Sequence, residues 1–268
     1  MGFLKIVKRR SFLNEVIYVL LNIGLSLSLM VIVRVTGSVW PAFVLVFLSK
    51  WRVFAVRPQF WFANIQANLV STIASVSYVV FLYIVNSTVN ISEFQILVTQ
   101  LLFVVMSVCW LLFLKPKSKR IYMVAQAGVA VLLGVTAVYS SAYNWPASMV
   151  VLFVWLIGYS TARHVLSSYD EESHIVFLSL IWGFVLSEIG WLAYHWTIAY
   201  QLPFMNNLLL PQVSIIMLCL GFLVYKSYDS YYHHQKIRMN DIFLPLIFTI
   251  GVTVVLMLAF NGVTTNIS

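Results

Sequence analysis

The chain has 268 residues, of which 62% are hydrophobic and 9% are charged, and its mean hydropathy is +0.94. This composition excludes an ordinary soluble domain and is typical of an integral membrane protein. The formal net charge of +8 does not indicate nucleic-acid binding, because the basic residues form short clusters between apolar runs. The two cysteines, Cys109 and Cys219, lie in separate apolar runs, which excludes a CxxC metal or redox site.

In chain order, the apolar runs predict an all-α, polytopic bundle that forms one transmembrane domain over residues 1–268, with no soluble domain. Most of the runs reach the roughly 20 residues that a helix needs to cross a bilayer. They lie at about 12–34, 65–86, 93–114, 121–140, 147–165, 174–200, 209–226 and 242–260. A further run at 38–50 is short, and we expect it to cross as a short or tilted helix or to be re-entrant.

The positions of lysine and arginine favour nine helices. If the run at 38–50 crosses and the N-terminus is cytoplasmic, 15 of the 16 basic residues lie on the cytoplasmic side and only Arg34 lies outside. If that run does not cross, the division becomes 4 inside and 12 outside, against the positive-inside tendency. We therefore predict about nine transmembrane helices, N-in and C-out, in a plasma or cytoplasmic membrane. The lipid bilayer is the expected partner, and the cytoplasmic basic loops could also contact anionic lipid head groups.

The seventh run places a carboxylate near the middle of the bilayer. Glu188 lies 14 residues from His174 and 12 from Tyr200, which corresponds to about 21 and 18 Å along a helix. An acidic residue at this depth costs roughly 2.5–3.5 kcal/mol on insertion scales, so it usually faces a partner, a cavity or a proton. Glu188 is therefore either a proton, cation or substrate site or a neutral, hydrogen-bonded residue that joins helices.

Two neighbours extend this candidate site along the same face of the helix. Trp191 could wall a binding cavity or simply pack. His195 lies seven residues after Glu188, about 10 Å along the axis, so the two side chains cannot touch. An interfacial histidine in an aromatic belt is the favoured interpretation of His195, and a proton entry point is the alternative.

A polar stripe on the third run is the first expected partner of Glu188. Its members are spaced as one face of a helix, and they are Asn64, Asn68, Ser71, Ser75 and Tyr78. The stripe either lines a path or makes ordinary hydrogen bonds between helices. Gln100, midway along the fourth run, is a second candidate partner. The fifth run carries a small-residue seam that predicts close helix packing, formed by Ala127, Ala130, Gly134, Ala137 and Ser141.

Two polar clusters between the apolar runs are candidate metal or catalytic sites. The first, "ARHVLSSYDEESH", contains the weak metal-ligand candidates His164, Asp170, Glu171 and His174. Its spacing fits no defined metal motif, so an acidic turn that caps the seventh helix is favoured and no metal or cofactor is predicted. The second, "SYDSYYHHQKIRMND", is interpreted as an interfacial loop.

Three functions remain open. The chain has no Walker loop, GxGxxG, GxSxG or HExxH motif, which removes most support for ATP-driven and hydrolase functions. The favoured hypothesis is a small secondary transporter or permease in which Glu188 binds a proton, cation or substrate. The alternative is a non-catalytic membrane scaffold or accessory subunit. The third is a membrane-embedded lipid-modifying enzyme that uses the cluster between His164 and His174, and an enzyme is the less favoured class.

Overall fold

A computed structural model describes residues 2–55, 57–88, 92–142, 145–169, 172–195, 199–202 and 205–259. These ranges contain nine α-helices and one two-stranded antiparallel hairpin. The helices are α1 (Gly2–Thr36), α2 (Trp40–Ser49), α3 (Trp61–Asn86), α4 (Glu93–Cys109), α5 (Arg120–Ser141), α6 (Ala147–Leu166), α7 (Ile175–His195), α8 (Gln212–His234) and α9 (Met239–Ala259). The strands are β1 (Ala199–Leu202) and β2 (Met205–Pro211).

Eight of the described helices are long and apolar enough to cross a membrane, with α4 continued by a π-helical turn to Leu114. The chain is therefore a multi-pass helical membrane protein, as its composition predicts. Of the described helices, only α2 is shorter, with ten residues. Ten residues give a helix of about 15 Å, which is half the thickness of a typical hydrocarbon core.

The chain beyond α2 runs antiparallel along the first turns of α3. The Asn64 Nδ2 donates a hydrogen bond to the Val53 carbonyl at 3.3 Å, and the Trp61 indole donates to the Phe54 carbonyl at 3.1 Å. Single turns of 3₁₀-helix at Trp51–Val53 and Pro58–Phe60 make up most of this connection. Short α2 and the turns that follow it therefore form one broken segment beside α3.

Two apolar clusters form the interior of the bundle. One joins α1, α2, α3 and α4, and the other joins α5, α6, α7 and α8. The two meet where α3 packs on α5: a Cβ added at Gly134 would lie 2.8 Å from the Ile73 Cγ2 and 3.0 Å from the Ile157 Cδ1. Since only a glycine fits there without displacing a neighbour, the predicted small-residue seam on α5 is confirmed.

The closest helix pair is α6 with α7, and glycines make the approach possible. A Cβ added at Gly158 would lie 3.0 Å from the Gly183 Cα, and one added at Gly190 would lie 3.1 Å from the Val154 Cγ1. Glu188 follows Gly183 by five residues, which is about 140° around the helix. The glycine contact therefore turns Glu188 away from α6.

Two predicted boundaries were wrong, and one hairpin was not predicted. The seventh run was predicted to be helical to Tyr200, whereas α7 ends at His195 and Tyr200 lies in β1, paired with Leu210. The hairpin itself was not predicted, because the uncharged turn between the runs has no helical or alternating pattern of its own. The predicted interfacial loop at 227–241 is much shorter: α8 continues to His234, Gln235 adopts a left-handed φ of 54°, and α9 begins at Met239.

Candidate functional site

The polar stripe of α3 meets a lysine. Lys50 is the C-terminal cap of α2, and its half-buried ammonium donates to the Ser71 Oγ and the Thr72 Oγ1, each at 3.1 Å. Ser71 and Thr72 lie near the middle of the 26-residue α3. The break in α2 therefore places a lysine ammonium halfway along a helix that is long enough to cross the membrane.

Lys50 lies apart from the described carboxylates. Across the described part of the chain, no Asp or Glu oxygen lies within 4.0 Å of its ammonium. The ammonium contacts two hydroxyl oxygens, while the backbone of Lys50 caps the C-terminal end of α2. Among the described residues, these contacts stabilise the ammonium without a counter-ion.

The rest of the stripe supports this site through local bonds. The Thr72 Oγ1 donates to the Asn68 carbonyl at 2.9 Å, and the Asn68 Nδ2 donates to the Asn64 carbonyl at 2.9 Å. The Ser75 Oγ donates to the Ser71 carbonyl at 2.8 Å. Asn64, Asn68 and Ser75 are half-buried, so they lie inside the bundle without being sealed off. Asn64, Asn68, Ser71 and Ser75 therefore lie on one face of α3, beside Lys50.

Glu188 does not belong to this cluster. Its side chain is exposed on the outer face of α7, and no described residue gives it a hydrogen bond or an ion pair. α7 packs mainly on α6 and more lightly on α8, so the expected contact between Glu188 and the stripe of α3 is absent from the described residues. The reason is the glycine seam of α7, which uses the opposite side of the helix.

Trp191 and His195 share the exposed face of α7 with Glu188. Their rings contact each other with centroids 5.0 Å apart, and Trp191 is 48% exposed. The face continues through three large apolar side chains that alternate three and four residues apart, namely Phe177, Ile181 and Phe184, all exposed. Spacing of this kind forms a single seam along a helix, as in helices that pair side by side.

Gln100 is fully buried, but it lies in α4 away from Glu188. Its Nε2 donates to the Asn86 Oδ1 at 3.4 Å, and its Oε1 has no hydrogen-bond partner in the described part of the protein. Gln100 therefore joins α4 to the end of α3 and takes no part in the Lys50 cluster.

Of the weak metal candidates, the structure describes His164 and His174, and these two have separate surroundings. The His164 Nε2 pairs with the Gln126 Oε1 at 2.8 Å, whereas the His174 side chain is exposed at the start of α7. Asp170 and Glu171 lie outside the described residues. Within the described ranges, no group of three or more His, Cys, Asp or Glu side chains could hold a metal ion.

A second polar cluster, missed by the sequence analysis, lies at the end of the bundle where α5 begins and α8 ends. We call this the basic end. The Arg120 guanidinium forms an ion pair with the Asp229 carboxylate at 3.3 Å and lies 4.0 Å from the centre of the Tyr169 ring. The Tyr169 hydroxyl donates to the same carboxylate at 3.0 Å. Burial and the negative charge of Asp229 raise the pKa of Tyr169, so it remains a hydrogen-bond donor at neutral pH.

Glu172 extends this cluster toward α8. Its carboxylate accepts hydrogen bonds from the Tyr228 hydroxyl and from the His174 backbone N–H, and these bonds lower the pKa of Glu172. The signal for the cluster was the spacing of Tyr225, Asp229 and Tyr232, which form one helical stripe. The cluster ties α5 and α8 to the connection between α6 and α7, so its evident role is structural.

Comparison with family models, with curated proteins and with solved structures returns no match for this chain. The function is therefore argued from the chemistry of the residues. Lys50 was not among the predicted site residues. The signal for it was a basic residue directly after an apolar run too short to cross the membrane, beside a helix with an internal polar stripe.

Proposed function

We propose that the protein is a small secondary transporter or permease whose substrate or ion site lies at Lys50. The observation that carries this proposal is the position of the Lys50 ammonium, near the middle of α3 and without a carboxylate partner in the described chain. Ionisable groups beside a membrane-spanning helix are costly where they enter the hydrocarbon, and there they are used for substrates, ions or protons. Broken helices are the common way in which transporters place such groups within the membrane.

The charge of the site favours an anion. A lysine ammonium with hydroxyl neighbours can attract a carboxylate or phosphate group, and the Ser71 hydroxyl is close enough to share in binding it. The proposal replaces Glu188 by Lys50 as the central charge and keeps the stripe of Asn64, Asn68, Ser71 and Ser75 as the lining.

The proposed topology has nine crossings, with a cytoplasmic N-terminus. In this arrangement the second crossing consists of α2 and the turns that follow it, and the basic end of the bundle is cytoplasmic. Two observations support this topology. It places 15 of the 16 basic residues on the cytoplasmic side, and residues 50–54 run antiparallel along α3.

Transport can be tested with the purified chain in liposomes that enclose a pH-sensitive dye. The probes are acetate, succinate, glutamate and inorganic phosphate, added one at a time. We expect a protein-dependent signal with at least one anion and its loss by about tenfold or more in Lys50→Gln, since a charge-assisted hydrogen bond contributes roughly 1.5–3 kcal/mol. Lys236→Gln, which removes an exposed lysine, is the matched control.

Water access to the site is a separate test that needs no known substrate. In a background with Cys109 and Cys219 replaced, Asn68→Cys should react with a water-soluble maleimide. Val79→Cys, on the same helix in the apolar core, should not react. If both positions are equally unreactive, Lys50 is sealed from water and the transport proposal is wrong.

A second candidate function is that of a subunit in a larger membrane assembly, and the observation that favours it is the outward Glu188. A carboxylate exposed at this depth in a lipid-facing position costs free energy that a contacting helix would offset. The test is cross-linking in membranes through Phe184→Cys, one turn from Glu188, with Leu258→Cys on exposed α9 as the control. Equal cross-linking at both positions would remove support for this function.

A further inference from the structure

An apolar groove of about 660 Å³ lies between α5, α6, α7 and α8. Its walls are mainly aliphatic and aromatic, with side chains such as Leu132, Ile181 and Phe222. Hydroxyl groups of Tyr225 and Tyr228 appear at the basic end. The groove is distinct from the Lys50 site, which lies on the other side of α3 and contacts α2.

The length of the groove matches the hydrocarbon of one leaflet. On α5 it extends from Ile121 to Leu132 and on α8 from Met217 to Tyr228, which is eleven positions in each case. Eleven positions of a helix correspond to about 17 Å, close to half of a hydrocarbon core that is about 30 Å thick. The groove is therefore about as long as the hydrocarbon of one leaflet is thick.

The groove is open to the bilayer between α7 and α8, which make little contact with each other. Ile181 on α7 and Phe222 on α8 both line it and are both exposed. Inside, a Cβ added at Gly221 would meet only the Trp182 Cζ2, at 3.9 Å. A chain-like apolar molecule therefore has a lateral entrance and free space along the wall of α8.

Two basic residues lie within two positions of lining residues of the groove in sequence, and within the described ranges neither has an acidic partner. Lys119 caps the N-terminus of α5 two residues before Ile121, and the half-buried Lys226 ammonium lies 5.6 Å from the centre of the Tyr225 ring. In the described part of the chain, no carboxylate lies within 4.0 Å of either ammonium. The nearby carboxylates are engaged elsewhere, Asp229 by Arg120 and Glu172 by Tyr228.

We propose that this groove binds one anionic phospholipid, with an acyl chain along the apolar walls and the phosphate at Lys119 and Lys226. The apolar walls supply affinity for any acyl chain, and the two lysines supply the preference for a negative head group. A basic residue near the membrane surface contributes about 1 kcal/mol toward an anionic lipid, which corresponds to about fivefold in occupancy.

The experiment is native mass spectrometry of the full chain, released from nanodiscs that contain equal amounts of phosphatidylglycerol and phosphatidylcholine with identical acyl chains. We expect the wild type to retain one phosphatidylglycerol about 30-fold more often than phosphatidylcholine, since two lysines contribute about 1 kcal/mol each. Gly221→Leu, which fills the groove, should retain neither lipid, whereas Gly251→Leu, on exposed α9, should behave as the wild type. Lys226→Gln should lower the preference about fivefold, because Lys119 remains, and Lys236→Gln should keep the full preference.

Equal retention of the two lipids by the wild type would overturn the proposal, and so would wild-type retention by Gly221→Leu. A second measurement does not depend on the folding of that variant. Phosphatidylglycerol with brominated chains should quench tryptophan fluorescence more than brominated phosphatidylcholine, and the excess should disappear in Trp182→Phe. An excess that persists without the Trp182 indole would place the lipid outside the groove and overturn the proposal.

Discussion

Replacing Gly158 by alanine tests whether α6 and α7 approach as closely as described. The added methyl group would lie 3.0 Å from the Gly183 Cα and 3.1 Å from the Leu186 Cδ1. Carbon atoms in favourable contact are about 3.5–4.0 Å apart, so the two helices must separate by roughly 0.5–1 Å. The neighbour at 3.0 Å is backbone, which cannot move aside as a flexible side chain can.

Two effects of opposite sign determine how much Gly158→Ala changes the free energy of unfolding. Overpacking a close contact costs about 1–3 kcal/mol. Alanine is a better helix former than glycine by about 0.5–1 kcal/mol, which offsets part of that cost. Gly251→Ala gains the same preference without the contact, because nothing lies within 4 Å of a Cβ added there. Relative to Gly251→Ala, Gly158→Ala should therefore be less stable by about 1–3 kcal/mol.

The assay is unfolding by SDS in mixed micelles, followed by circular dichroism, with the midpoints of both variants compared with the wild type. We expect the Gly251→Ala midpoint at or above that of the wild type and the Gly158→Ala midpoint below that of Gly251→Ala. Equal midpoints would refute the close approach, and with it the reason given for the outward direction of Glu188.

Three further predictions concern charged residues. Asp229→Ala removes the acceptor shared by the Arg120 guanidinium and the buried Tyr169 hydroxyl. We expect the free energy of unfolding to fall by about 1–2 kcal/mol, since both charges are partly exposed and the ion pair adds little. Hydrogen bonds lower the pKa of Glu172 in the folded protein, so the unfolded protein takes up a proton at this carboxylate first as pH falls. The stability that Glu172 adds should therefore be present above its ordinary pKa of 4.5 and be lost below it. Tyr228→Phe should weaken this pH dependence in acid unfolding. Glu188→Leu should leave the SDS midpoint of the isolated chain unchanged or higher, and a lower midpoint would reveal an internal partner.

The bundle itself could be predicted because long apolar runs have few structural solutions in a bilayer. The eight long runs correspond to the eight long helices, and the polar stripe of α3 was found because side chains four and seven residues apart share a helix face. The same periodicity located the small-residue seam at Gly134. These features depend on local spacing, which the chain itself specifies.

The partner of each face could not be predicted, because helix pairing depends on contacts distant in sequence. The midplane position of Glu188 suggested an internal site, yet the glycines at 183 and 190 turn that side chain outward. Lys50 looked like an ordinary topology signal at the end of a short run. Its role as the neighbour of Ser71 emerges only when the break in α2 is placed beside α3.

The order in which the groove walls are synthesised has a consequence for the assembly of the protein. α5, α6 and α7 precede α8 in the chain, and α6 and α7 form the closest helix pair of the bundle. Domains made on the ribosome fold from the N-terminal side first. Three walls are therefore made before the fourth, so the proposed lipid could enter against them during biogenesis as well as later through the opening between α7 and α8.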